Sequence, residues 1–434
     1  MKHLLFILIS LLLIYTRLDA QSLSERMELF DDGTFFYASE DYKEAVYYFL
    51  KLYDYDPENG NIAFLTGMCY LNIPGEEEKS IPYLEKAITK ISYTYNKSTF
   101  QEVRAPLHAM FYLGNAYRVN NQLKEALDMY ERFMNSPYFE GNYNVAIVQK
   151  EIDDCKRAKV IQDKPIKIQQ TNMGMVINDQ NENFNPVVSG NDSMIIFVTG
   201  LKFYDAVMMS VITDTGWSYP VNITPQIGSD GDCYPVCLSH DGKELYLVKR
   251  EKRNDDIYVS RWNNGSWTVR EPLNREINSG KMETHASITA DGKYLFIASD
   301  KGSKGGMDIF VSERNDEGEW GKPENLGEKI NTEYDENYPF ISSDGQVLFF
   351  SSKGHNSMGG YDIFFSKMIN GKWSIPFNIG YPISTTSDDI FYSINGNGVV
   401  SYRALNIDGG YGKKDIYKVR ITGGDTLEPL KSRE

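Results

Sequence analysis

Residues 339–351 read Pro339-Phe340-Ile341-Ser342-Ser343-Asp344-Gly345-Gln346-Val347-Leu348-Phe349-Phe350-Ser351. After a Gly359-Gly360 pair the chain resumes with Asp362-Ile363-Phe364-Phe365-Ser366, and it reaches Trp373 a few residues later. Each apolar run is too short for a helix and is bounded by turn residues, so each reads as a strand. Asp344-Gly345 is a hairpin signal, and the expected tight turn has both central residues at positive φ. Gly359-Gly360 permits a sharp loop before the next strand.

Outward from this stretch the pattern repeats every 51–54 residues. Asp-Ile recurs at Asp256-Ile257, Asp308-Ile309, Asp362-Ile363 and Asp415-Ile416, with Asp205-Ala206 as a weaker first copy. Asp241-Gly242, Asp291-Gly292 and Asn395-Gly396 repeat the hairpin, and Pro186 and Pro235 repeat Pro339. Trp217, Trp267, Trp320 and Trp373 follow the Asp-Ile strand once per copy, then an Asn-Leu/Ile-Gly tail. Four short strands per copy with one recurring Trp indicate β-propeller blades, the Trp filling the gap between neighbours. The Trp tail occurs four times but the Asp-Ile strand five times. Residues 166–179 resemble the tail without its Trp, so 166–171 is expected to pair beside Ile416–Val419 and close a five-bladed ring over 163–422. Six blades is the alternative. Residues 423–434 read as a tail.

Upstream, Gly33 and Gly67 lie 34 residues apart, the tetratricopeptide period. The first unit carries Gly33, Phe36, Ala45, Phe49 and Pro57, the second Gly67, Tyr70, Ser80, Leu84 and Ala87. The third carries Leu113, Gly114, Tyr117, Ala126 and Tyr130, after an insertion around 92–104. Small residues let paired helices approach, and large ones fill the space between them. The expected architecture is therefore a tetratricopeptide α-solenoid over 21–162 followed by a propeller, joined by a short connection ending near Pro165.

The chain has 434 residues and a formal charge of −15, which disfavours nucleic-acid binding and charge-held attachment to anionic lipid. Residues 1–20 have a polar start, an apolar run from Leu4 to Tyr15 and a small residue, Ala20, at the expected cleavage point. That is the layout of a secretory signal peptide, with no membrane span expected in the mature chain. Cys69, Cys155, Cys233 and Cys237 read as small buried apolar residues, without metal-site spacing. No cofactor is expected.

Two groups of residues are candidates for binding. On the first helices of the repeats, Phe30, Thr34, Tyr37, Phe111, Asn115 and Arg118 are expected to face a groove. There Asn115 and Arg118 would clamp a peptide backbone or carboxylate. In the propeller, Asn183, Asp232, Glu283, Glu336 and Ser387 stand three residues before the inner-strand Pro or its equivalent. They read as solvated turn residues. If the three carboxylates gather at one channel mouth, they would hold a cation or a basic partner. The Asp of each Asp-Ile pair is read as structural, because catalytic carboxylates break internal symmetry and these repeat it.

The blades resemble the TolB-type propeller repeat, whose signature is Pro, Ser, Asp-Gly and Asp-Ile-Tyr. The order of signal peptide, tetratricopeptide block and propeller resembles a family of Bacteroidetes-type envelope proteins that includes PorE-type accessory proteins of type IX secretion. The sequence carries no lipid-acceptor Cys after residue 20 and no OmpA-like peptidoglycan-binding domain before Glu434. The resemblance implies periplasmic residence and binding to other envelope proteins or peptides; it does not carry over a cell-wall anchor, since peptidoglycan contact is not supported by an OmpA-like domain. The expected function is a non-enzymatic scaffold. The alternative is a carbohydrate-binding or glycoside-hydrolysing five-bladed propeller.

Overall fold

The computed structural model describes residues 22–97, 99–250, 254–303, 305–396, 398–425 and 430. Residues 1–20, where a signal peptide is expected, lie outside the described residues. The chain forms two compact units that divide between Cys155 and Lys156.

The first unit is built from helices α1 (22–38), α2 (Tyr42–Tyr55), α3 (Gly60–Leu71), α4 (Ser80–Ala87), α5 (Ala109–Val119) and α6 (Leu123–Met134), and α7 (Val145–Gln162) begins in it. The three repeat glycines are where helices meet. A Cβ placed on Gly33 would lie 2.8 Å from Phe49, on Gly67 2.7 Å from Leu84, and on Gly114 2.5 Å from Tyr130. These are the partners that the repeat spacing pairs, so the small residue of each first helix receives the large residue of the second. Side chains cap the starts: the Asp41 carboxylate accepts from the Glu44 amide, and Asn59 Oδ1 from the amides of Asn61 and Ile62. The insertion between the second and third units covers α3. Ile91–Ser92 pairs with Ala105–Pro106, Gly60 N donates to Val103 O, and Tyr95 OH donates to Asn61. Ten consecutive α3 residues, Gly60 to Cys69, are therefore buried, although this helix has no polar face to turn outward.

The second unit is a five-bladed propeller. The three long strands of blade 1 are Asn183–Val188, Met194–Gly200 and Asp205–Thr213. Those of blade 2 are Cys233–Leu238, Glu244–Lys249 and Asp256–Asn263, and those of blade 3 Glu283–Ile288, Tyr294–Ser299 and Asp308–Glu313. Blade 4 has Glu336–Ile341, Val347–Ser352 and Asp362–Ile369, and blade 5 Ser393–Asn395, Val400–Leu405 and Asp415–Gly423. Short outer strands complete blades 1–4. In blade 5 the outer strand is Lys167–Asn172, antiparallel to Asp415–Gly423 with Ile168 opposite Ile421. Asn172 does there what the tail Asn does in blades 3 and 4. Its Nδ2 donates to Asp415 at 2.8 Å, as Asn325 does to Asp308 at 2.8 Å and Asn378 to Asp362 at 3.1 Å. The aspartates of blades 3, 4 and 5 thus share one structural task, and Asp415 also accepts from the amides of Tyr411 and Gly412.

The hairpins differ from the expected two-residue turn. Only the glycine is left-handed, with φ of 72°, 73° and 68° at Gly242, Gly292 and Gly345. The turn is longer and is held by side chains. Ser239 Oγ donates to Asp241 and accepts from the Glu244 amide, and the Asp241 carboxylate accepts from the Lys243 amide. Thr289 with Asp291, and Ser342 with Asp344, repeat the device. The tryptophans lie between blades: Trp267 Nε1 points at Met209 Sδ of blade 1 (3.3 Å), and Trp373 packs on Phe296 of blade 3 (ring centroids 6.0 Å apart).

Candidate functional site

The strand ladders locate the acidic ring. Asn183 faces Thr199, Cys233 faces Lys249, Glu283 faces Ser299 and Glu336 faces Ser352. The blade 2 member is thus Cys233 rather than Asp232, because Pro235 sits one residue earlier on its ladder than Pro186 does. The blade 5 member is Asp389, which takes the amide and hydroxyl of Thr385 four residues back, as Glu336 takes those of Thr332. Ser387 is not the equivalent position.

These residues are not solvated turns. Asn183, Glu283 and Glu336 have 0% exposure. Glu336 accepts from Thr332 N (2.6 Å), Thr332 Oγ1 (2.8 Å) and Ser352 Oγ (2.6 Å). Glu283 accepts from Ser279 Oγ (2.7 Å) and Ser299 Oγ (3.0 Å), and Asp389 from Arg403 (2.8 Å). Each carboxylate is spent inside its own blade. Burial pushes the Glu336 carboxyl up to about 7 against the opposing effect of its hydroxyl and amide donors. Asp232 is 29% exposed and already has Lys249 at 3.6 Å and Arg270 at 3.8 Å, so it is not free for a basic partner. Among the described residues no group of His, Cys, Asp and Glu is arranged to hold a metal.

The channel is closed by aromatic rings two residues further along the inner strands. His285, Tyr338 and Phe391 come from blades 3, 4 and 5, with ring centroids 4.0 Å (His285–Tyr338) and 6.2 Å (His285–Phe391) apart. Rings from blades 3 and 5, which are not neighbours, meet only on the axis. Tyr338 and Phe391 reach it through left-handed backbone, φ 54° and 59°. Toward the hairpin end the axis widens to a cavity of about 50 Å³, lined by inner-strand residues of all five blades, among them Val187, Leu238, Ile288, Phe340 and Ile394. That is far below the ~300 Å³ of the smallest usual ligand pockets.

A larger space lies between blades 3 and 4, a cleft of about 560 Å³ lined by Asp291, Tyr294, Phe296, Val311, Asp344, Gln346, Met368 and Trp373, among others. Sequence reading missed it, since it depends on which side chains fill one particular gap.

In the helical unit the proposed clamp does not form. Arg118 is 7% exposed, with Nε 2.9 Å from Glu151 Oε2, and Asn115 Oδ1 accepts from the buried Tyr130 hydroxyl. Both polar groups are used inside the fold, because residues one turn apart on α5 follow Phe111 toward α6 and α7. Tyr37 is half-buried against Tyr42 and Phe49, and burial raises its hydroxyl pKa. Phe30 is buried against Phe100. Phe111 lines a hollow of about 250 Å³ with His108, Tyr112, Phe133, Tyr143 and Ile147. The four cysteines are buried and free, and among the described residues no helix is long and apolar enough to cross a membrane.

No family model matches the sequence, and no curated protein matches it. Among solved structures, TolB from Acinetobacter baumannii is similar at 16% identity and a TM-score of 0.40, covering 57% of this chain and 57% of that one. The chain therefore matches little more than half the length of that TolB. The α-L-arabinofuranosidase PaAbf62A from Podospora anserina, solved with cellotriose, is similar at 11% identity and a TM-score of 0.38, covering 60% and 99%. The first TPR domain of human RPAP3 is similar at 20% identity and a TM-score of 0.25, covering 32% and 94%. Propellers of this kind occur in both TolB and glycosidases, and at these similarities neither assigns a function.

Proposed function

We propose that this protein is an exported, non-enzymatic scaffold of the bacterial envelope that holds a protein partner on its propeller. The observation that carries this reading is the fate of the carboxylates. Glu283, Glu336 and Asp389 are buried and bonded within their own blades. A glycosidase needs two carboxyl groups flanking a bound sugar, and here the axis is filled by His285, Tyr338 and Phe391. The open surfaces are instead apolar-floored: the cleft between blades 3 and 4, and the hollow around Phe111. Rigid surfaces of this kind bind a partner at little ordering cost. The signal-peptide pattern and the resemblance to PorE-type accessory proteins support the periplasm and a secretion or outer-membrane assembly as its setting.

The test is affinity capture from envelope extracts with the full mature chain as bait, beside thermal denaturation with arabinan and other oligosaccharides. A specific protein recovered by the bait, with no saccharide-dependent rise in Tm, is the expected result. Stabilisation by a saccharide with no captured protein would overturn the reading.

A further inference from the structure

The blades are copies, so each gap between them is a control for the others. The residue paired across the strand from each Trp is Ile212 in blade 1, Trp262 in blade 2, Arg314 in blade 3 and Met368 in blade 4. In the gap between blades 2 and 3, Arg314 fills the space. Its guanidinium carbon lies 4.3 Å over the Trp320 ring, and Nη2 donates to Glu244 Oε2 at 3.0 Å and Tyr246 OH at 2.7 Å on blade 2. In the gap between blades 3 and 4 the same positions carry Met368, Trp373, Tyr294 and Phe296. The ring is kept, while the guanidinium and its half-buried carboxylate partner are replaced. This gap is the one that opens into the cleft of about 560 Å³, with Asp291, Tyr294 and Asp344 exposed and Phe296 and Trp373 buried.

The geometry points to this cleft as a docking pocket for an arginine side chain of the protein partner. The inference rests on the scaffold reading above and gives that surface its specificity. The guanidinium lies against Trp373 within reach of the acidic edge, and its methylene stem covers Met368 and Phe296. The protein already shows this chemistry within its own chain one gap away. Charge fits as well as shape. The Thr289 hydroxyl and Lys293 amide hold the Asp291 carboxyl below the usual carboxylate range, so it meets the arginine ionised. Arginine suits the site better than lysine, because a planar, weakly hydrated cation stacks on indole while an ammonium keeps its water.

The test uses the full mature chain labelled with fluorotryptophan. It has five tryptophans, so the fluorine NMR spectrum is simple, and Trp373→Phe assigns the relevant signal. The probes are acetyl-Gly-Arg-Gly-amide and its lysine and norleucine counterparts. The arginine peptide moves the Trp373 signal and binds about tenfold tighter than either counterpart, as expected for one desolvated cation–π contact. Asp291→Asn with Asp344→Asn weakens it about tenfold; both turns survive, because the amide oxygens still accept from Lys293 and Gln346. Met368→Arg abolishes the response by filling the cleft from within. Equal binding of the norleucine or lysine peptide, or an unmoved Trp373 signal, overturns the inference. A partner captured equally well by the wild type and by Met368→Arg also overturns it, while leaving the scaffold reading intact. If the wild type captures no partner while the Trp373 response holds, the scaffold reading fails and the arginine pocket stands.

Discussion

Replacing Glu336 by Gln tests whether the carboxylate ring is structural. In the native protein this carboxyl is held at about 7, against an ordinary value of 4.5. A raised acid binds its proton more tightly when folded, so its contribution to stability is full below about pH 4.5 and is lost as pH climbs through 7. The move from 4.5 to about 7 is worth about 3 kcal/mol. Gln reproduces the protonated form. Its oxygen accepts from Thr332 N, and its amide donates to the hydroxyls of Thr332 and Ser352, which rotate to accept.

The expected outcome is a difference of differences. Between about pH 4.5 and pH 8 the wild-type propeller loses about 3 kcal/mol more stability than Glu336→Gln does. At roughly 2–4 °C per kcal/mol for a unit of this size, the gap in Tm between the two proteins widens by roughly 6–12 °C over that range. Thermal unfolding followed by near-ultraviolet circular dichroism, which reports the inter-blade tryptophans, reads this directly. Comparing variants cancels the other groups that titrate in the window. Parallel pH curves for the two proteins would refute the reasoning, since the three donors would then be holding Glu336 ionised in spite of its burial.

His285 carries the opposite sign. Burial pushes its imidazole down to about 3, so its contribution is present above 6.5 and is lost as pH falls. His285→Gln, which keeps a donor for Asn337, should unfold at lower pH than the wild type in an acid titration. Gly114→Ala should cost about 1–3 kcal/mol in urea melts despite the better helix former, because its Cβ would lie 2.5 Å from the buried Tyr130 ring. A neutral or stabilising result would mean that α5 and α6 do not meet there. Asn331 bonds both the N–H and the C=O of Ile309, so Asn331→Ala should cost about 2 kcal/mol by the same measure. The amides of Lys167–Asn172 that face Asp415–Gly423 should exchange more slowly than those of a free linker; linker-like exchange throughout would contradict the pairing.

Much of the fold is legible because the chain repeats itself. Asp-Gly, Asp-Ile and Trp mark each blade, and the shortfall of one Trp tail already requires a fifth outer strand from elsewhere. The site was harder to read, and the reason is a β-bulge. The inner strands of blades 1 to 4 all slip register, but not at the same step: between Phe184 and Val187 in one blade, opposite Tyr246/Leu247 in another. The proline used as a ruler therefore floats by one residue, which put Asp232 where Cys233 stands. The buried isoleucine ahead of each blade does not float. Ile177, Ile227, Ile277, Ile330 and Ile383 are all buried, and the residue after each, Asn178, Asn278, Asn331 or Ser384 in four of them, grips the backbone of the Asp-Ile strand of the preceding blade. Counting from that isoleucine reaches Glu283, Glu336 and Asp389 alike six residues on.

The composition of the ring says why an acid here is weak grounds for catalysis. The position holds Asn, Cys, Glu, Glu and Asp in blades 1 to 5. What the chain supplies around it is a hydroxyl four residues back in blades 2 to 5, and a second hydroxyl across the strand in blades 1, 3 and 4. A buried hydroxyl needs an acceptor, and Asn, Glu and Asp all provide one. Charge is incidental to that demand. Blade 5, lacking the second hydroxyl, brings Arg403 to Asp389 instead, since one oxygen would otherwise be buried without a donor. Specificity in a repeat protein is sought where equivalent positions stop doing equivalent work, and the residue across from the Trp is such a position: Ile212, Trp262, Arg314 and Met368 in blades 1 to 4, with Met368 at the open cleft.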